Sequence, residues 1–85
     1  MNAINGSYAG TTGAALRSTS PGIGPAVKAV AVNSNAGYCL EDTEDGGATV
    51  YDYVGGNAGS ALQTGYSTAS LQLGTCLQAV GVAAT

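Results

Sequence analysis

Five carboxylates are the most concentrated chemical groups in this chain. Four of them fall within five consecutive positions and the fifth follows shortly after, the full set being Glu41, Asp42, Glu44, Asp45 and Asp52. Hard oxygen ligands gathered at a glycine-containing turn can hold Ca²⁺, which would offset their mutual repulsion. A solvated hairpin tip explains the same residues without a metal, because charge at a turn keeps it soluble and discourages edge pairing.

The spacing of these acids matches a calcium-binding loop only in part. Such a loop alternates its ligands and ends on a bidentate glutamate at the twelfth position. Counting from Glu41 places Thr43 third and Asp52 twelfth, both of them weaker ligands than the template requires. We therefore predict a solvated turn with no metal or other cofactor. The weaker calcium candidate consists of Glu41, Asp42, Asp45 and Asp52.

The composition argues against an enzyme. The chain has no histidine to act as a base beside a nucleophile, and its serines and threonines are scattered through predicted loops. Its basic residues are Arg17 and Lys28 alone, against five acids. With so little positive charge to attract a phosphate backbone, we also expect no nucleic-acid binding by this chain by itself.

The two cysteines, Cys39 and Cys76, could form a disulfide, remain free thiols or bind a metal as a pair. Their separation fits no common metal-binding spacing, and the chain has no histidine to complete such a site. We favour the disulfide, which predicts an oxidising location outside the cytoplasm. No secretory signal or membrane-spanning apolar run is visible, so we expect targeting to depend on a removed segment or on a partner chain.

The elements that must hold these residues are predominantly β. We predict one domain over residues 1–85, made of a loop-rich segment (1–25), a sheet (26–76) and a tail (77–85). The sheet should be small and antiparallel, with three to four strands, long Gly/Ser-rich loops and one disulfide. Strands are predicted at 27–32, at the hairpin arms 37–40 and 48–54, and at 67–73.

Less regular signals flank these strands. One short helical turn is expected at 12–17, capped by Thr11 or Thr12. The apolar, uncharged tail could be a last edge strand or a segment that docks on another subunit.

Several segments, taken in order, carry a family resemblance. They are NGSYAGTTGAALRSTSPGI from Asn5, then a hydrophobic strand, GYCLEDTEDGGATVYDYVGGNAG from Gly37, and the GTC that ends on Cys76. In this order and spacing, the chain resembles the globular head of bacterial type IV pilins and pseudopilins. The resemblance covers most of residues 5–76. The chain departs from the family by lacking the long apolar N-terminal helix and by continuing past Cys76.

This resemblance implies a structural role. Such heads are antiparallel sheets packed on a long helix that is buried in the filament core. Here the helix would be a removed segment of the same chain or a separate short polypeptide, and the head would reach the membrane only through it. Residues expected to contact that helix are Ile4, Tyr8 and Leu16.

Two functions are therefore expected, neither of them enzymatic. The first is a subunit of an extracellular, cell-surface type IV pilus-like filament, or of a periplasmic secretion pseudopilus, with other pilin subunits as partners. The alternative is a small secreted β-sheet binding or adhesion module that recognises carbohydrate or protein, one variant of it being an adhesion head that depends on Ca²⁺ bound at the acidic turn. Its binding residues would be Tyr51, Tyr53 and Tyr66.

Overall fold

The computed structural model describes residues 7–44 and 49–85. Among these residues it shows a mainly β fold with one four-stranded antiparallel sheet in the order β1-β2-β3-β4. The strands are β1 (Lys28–Val32), β2 (Gly37–Glu44), β3 (Thr49–Gly56) and β4 (Leu71–Leu73). The described residues also form two short α-helices, α1 (Gly13–Thr19) and α2 (Cys76–Val80), and a 3₁₀ turn at Gly59–Ala61. The predicted fold class is confirmed.

The strand register separates the side chains onto two faces. Cys39 pairs with Val30 on β1 and with Val54 on β3, so these three residues share one face. We call this side the closed face, because α2 covers it. Tyr38 and Leu40 alternate with Cys39 along β2 and therefore lie on the opposite side.

The closed face holds the core. A disulfide joins Cys39 to Cys76 with their Cα atoms 5.9 Å apart, which confirms the predicted bond. The bond fixes α2 over the sheet. The buried apolar residues that gather around it are Val32, Cys39, Val54, Ala58, Cys76, Ala79 and Val80.

Helix α2 was not expected from the sequence. The Thr75 hydroxyl accepts a hydrogen bond from the Gln78 N–H, and the Gln78 side chain accepts one from the Thr75 N–H, forming a capping box. Gly81 then ends the helix in the left-handed conformation with φ 72°. A helix of five residues is too short to show a periodic apolar pattern, which is why the tail could be read as a strand.

The tail returns to the sheet after α2. The Thr85 N–H donates to the Ala29 carbonyl at 3.0 Å, and the Ala29 N–H donates to the Thr85 carbonyl at 3.2 Å. Thr85 thus extends the hydrogen bonding beyond the β1 edge, and its carbonyl also accepts from the Gly13 N–H at 2.8 Å. The tail therefore packs on its own domain.

Helix α1 lies beside β1, at the place where one helical turn was predicted. Thr12 caps it by accepting a hydrogen bond from the Ala15 N–H at 3.0 Å. The Arg17 guanidinium donates to the Val27 carbonyl at 2.9 Å, which ties the helix to the segment that enters β1. No helix in residues 7–44 or 49–85 is both long and apolar enough to cross a membrane.

Candidate interaction face

The side of the sheet opposite α2 is largely uncovered at β3 and β4, and we call it the open face. Tyr53 lies between Leu40 and Leu71 in the register, and Tyr51 lies between Asp42 and Leu73. Leu71 and Leu73 are each 69% exposed, although they are large apolar residues. A contiguous apolar surface of this kind is a typical mark of an interaction site.

A pair of tyrosines closes one end of the open face. The rings of Tyr8 and Tyr38 have centroids 4.7 Å apart and are tilted by 51°. Tyr38 lies across from Gly55, and a side chain at Gly55 would collide with the Tyr38 ring. Burial raises the pKa of the Tyr38 hydroxyl, with smaller contributions from Tyr53 and Tyr8. These rings therefore form a packed end to the apolar surface.

A groove of about 730 Å³ separates the N-terminal segment and α1 from the sheet. Tyr8, Leu16, Ile23, Val27 and Leu40 contribute its apolar lining. Two of the three residues predicted to contact a partner helix, Tyr8 and Leu16, thus line one groove that adjoins the open face. The third residue, Ile4, lies outside the described residues.

The three tyrosines of the predicted binding set do not lie together. Tyr51 and Tyr53 are half-buried neighbours on the open face. Tyr66 instead packs against the core cluster of the closed face. The strand alternation could identify the first two as a pair, but it carries no information about a tyrosine in a loop.

Strand β2 includes acidic residues that were predicted at the hairpin turn. Glu41 and Asp42 lie within β2, because the strand continues further than the apolar arm 37–40. Alternation places Asp42 on the open face, whereas Glu41 and Asp52 are paired on the closed face. Asp45 lies outside the described residues.

The calcium candidate is divided by this arrangement. Asp42 is separated from Glu41 and Asp52 by the sheet itself. Across residues 7–44 and 49–85, no group of three or more His, Cys, Asp or Glu side chains is placed to hold a metal ion.

Asp52 is the most unusual residue of the closed face. It is fully buried, and both of its carboxylate oxygens lack a hydrogen-bond partner among the described residues. Burial raises the pKa of Asp52, and the facing Glu41 raises it further. The period-two alternation of β3 puts Asp52 on the same face as Val50 and Val54, but alternation alone does not show that this face is the buried one.

Glu41 has a partner that Asp52 lacks. Its Oε1 accepts a hydrogen bond from the Cys76 backbone N–H at 2.9 Å. This N–H belongs to the first turn of α2, where backbone donors have no partner within the helix. The contact links β2 to α2 beside the disulfide, so Glu41 has a structural role on the closed face.

The chain was compared with protein-family models, with curated proteins and with solved structures, and none of the three comparisons found a match.

Proposed function

We propose that this protein is a structural subunit of an extracellular type IV pilus-like filament or of a secretion pseudopilus. It would act by assembly, with a hydrophobic helix lying on the open face. That helix would come from the same chain or from a separate polypeptide, and other pilin subunits would surround the head. In this proposal the sheet is a rigid support and no chemical reaction takes place.

The observation that carries the proposal is the asymmetry of the sheet. The closed face is covered by α2 and tied to it by the disulfide. The open face instead leaves Leu71 and Leu73 exposed beside an apolar groove lined by Tyr8 and Leu16. An elongated apolar surface suits an amphipathic or apolar helix, which buries its contact residues at spacings of three and four.

Incorporation into cell-surface filaments tests this proposal. The double variant Leu71→Ser/Leu73→Ser should fold but fail to enter filaments, when these are sheared from cells and probed with an antibody to this chain. Leu77, on α2, is 57% exposed but lies away from the open face, so Leu77→Ser is a matched control that should still assemble. If the unaltered protein is absent from such filaments, or if the double variant assembles normally, the proposal is wrong.

The gene context offers an independent test. A prepilin-type apolar helix encoded in the same or the adjacent reading frame supports a filament subunit. An ordinary cleavable signal peptide directly before this chain contradicts it.

A secreted binding module is the second candidate function. The observation in its favour is that Tyr51 and Tyr53 lie side by side on the open face, where aromatic rings can contact a ligand. Binding of carbohydrate or protein would then depend on both rings, and not on Tyr66, which packs on the core. Ligand binding that persists in Tyr51→Ala/Tyr53→Ala would contradict this candidate.

A further inference from the structure

A small recess lies on the open face over β2 and β3, between Val27 on one side and Leu71 of β4 on the other. Its volume is about 220 Å³. Apolar and aromatic groups make up most of its lining, from Val27, Leu40, Tyr51, Tyr53 and Leu71. Two carboxylate residues, Glu41 and Asp42, border it as well. The recess itself is therefore almost wholly apolar, with Asp42 at its border.

The two carboxylates differ in how far they are already engaged. Glu41 points to the closed face and accepts the Cys76 N–H. Asp42 lies on the open face, and it is the only charged side chain there among the strand residues whose side chains are described. No ion pair or hydrogen bond engages the Asp42 carboxylate within the described parts of the chain, so its charge is available to a partner.

The basic residues of the chain do not neutralise this recess. Lys28 faces Glu41 on the closed side of the sheet. Arg17 is bonded to backbone carbonyls, at 2.9 Å to Val27 and 3.4 Å to Pro25. The whole chain carries a formal net charge of −3. A partner that covers the open face would leave Asp42 buried and unpaired unless it brought a positive group, and an unpaired buried charge is costly.

A long basic side chain matches both features of the recess. Lysine and arginine place an aliphatic stem against apolar surface while the charged end reaches a polar site. Their cations are also attracted to the faces of aromatic rings and to carboxylates. A metal ion matches less well, since Asp42 is one carboxylate and Ca²⁺ takes six to eight oxygen ligands.

We propose that this recess binds a lysine or arginine side chain carried by the apolar helix that covers the open face. This inference rests on the proposed function, because it names the chemistry of the helix that the head would bind. It adds a requirement that an apolar face alone does not impose. The helix must carry one basic residue at the position that meets Asp42.

Designed peptides can test the requirement. The probe is a leucine- and alanine-based helical peptide with one central lysine, compared with the same peptide carrying glutamine there. Affinity for the intact protein is measured by calorimetry, and the bound face is located from the NMR shifts of the Leu71 and Leu73 methyl groups. We expect the lysine peptide to bind about threefold more tightly, the scale of a partly exposed ion pair.

Two protein variants make the test specific. Asp42→Asn should abolish the preference for lysine while leaving the binding of the glutamine peptide unchanged. Asp52→Asn is the matched control, because it makes the same replacement of a carboxyl group by an amide on the closed face and should keep the preference.

The possible outcomes separate this inference from the proposed function. Equal binding of both peptides at the open face, or a preference that persists in Asp42→Asn, overturns the basic-residue requirement and leaves the helix-binding face intact. If neither peptide shifts the Leu71 and Leu73 signals, the helix-binding face is overturned, and the inference with it.

Discussion

Glu41 and Asp52 face each other directly across β2 and β3, yet the structure gives a hydrogen-bond partner to only one of these two carboxylates. Glu41 Oε1 accepts a hydrogen bond from the Cys76 N–H at 2.9 Å. Asp52 is buried without a donor among the described residues, and its pKa is raised by burial and by the charge of Glu41. Asp52 is therefore protonated more readily than an exposed aspartate, because burial penalises its charged form.

Asp52→Asn should stabilise the protein at neutral pH. An acid with a raised folded-state pKa binds protons more tightly in the folded than in the unfolded state. Its contribution to stability is complete below the unfolded-state pKa and is lost as pH rises through the folded-state pKa. The unaltered protein should therefore lose stability as the pH rises from the unfolded-state pKa to the folded-state pKa of Asp52. Asp52→Asn should not show this loss. Its free energy of unfolding at neutral pH should be higher than that of the unaltered protein by about 1 to 3 kcal/mol.

Urea denaturation at a series of pH values measures this effect. Asp42→Asn serves as the control because Asp42 is half-exposed on the open face and has no facing carboxylate on a neighbouring strand. It should not raise the free energy of unfolding at neutral pH as Asp52→Asn does. A less stable Asp52→Asn protein at neutral pH would show that the buried carboxylate has a favourable partner.

The burial of Asp52 shows what strand alternation can and cannot predict. The period-two pattern of β3 places Asp52 with Val50 and Val54, opposite Tyr51 and Tyr53, as the register shows. It could not decide which face is the core, because both faces of β3 carry apolar side chains. That choice is made by α2, which reaches the sheet through a disulfide to a residue far along the chain.

The disulfide and the strands were predictable for different reasons. Two cysteines in a chain without histidine leave few alternatives to a bond. The β-branched residues before Asn33 and the alternation near Tyr51 identify strands locally. By contrast, the fourth strand was predicted at 67–73 and is only Leu71–Leu73, since its pairing partners on β3 are just Tyr51, Asp52 and Tyr53.

Loss of the disulfide should reduce stability strongly. The bond closes a loop of 37 positions, for which the chain-entropy relation gives about 4 kcal/mol. Cys39→Ala/Cys76→Ala should therefore lower the urea midpoint without a reductant present. The same midpoint is measured for the unaltered protein with and without reductant. If the urea midpoint is the same for the double variant and for both samples of the unaltered protein, α2 is held by packing alone.

Gly13→Ala should destabilise the contact between α1 and β1. A Cβ atom at Gly13 would collide with the Val27 carbonyl oxygen, which also accepts the Arg17 hydrogen bond. Overpacking of this kind costs about 1 to 3 kcal/mol. Gly22→Ala is a suitable control, because nothing lies near the Cβ position there. Thermal melting of both variants checks the prediction, and equal melting temperatures would contradict the close approach.

The exposed leucines of β4 should contribute little to the stability of the isolated domain. Leu71 and Leu73 each leave most of their surface in water, so replacing both by serine should change the free energy of unfolding by no more than about 0.5 kcal/mol per site. Val54 is fully buried beside the disulfide, and Val54→Ala should cost more than the two serines together, because it opens a cavity in the core. Urea denaturation of the unaltered protein, of Leu71→Ser/Leu73→Ser and of Val54→Ala makes this comparison directly.

If the two serine replacements prove as destabilising as Val54→Ala, the two leucines belong to the core of the domain. If they are neutral, the folded domain does not need them, and their apolar surface remains available to a partner on the open face.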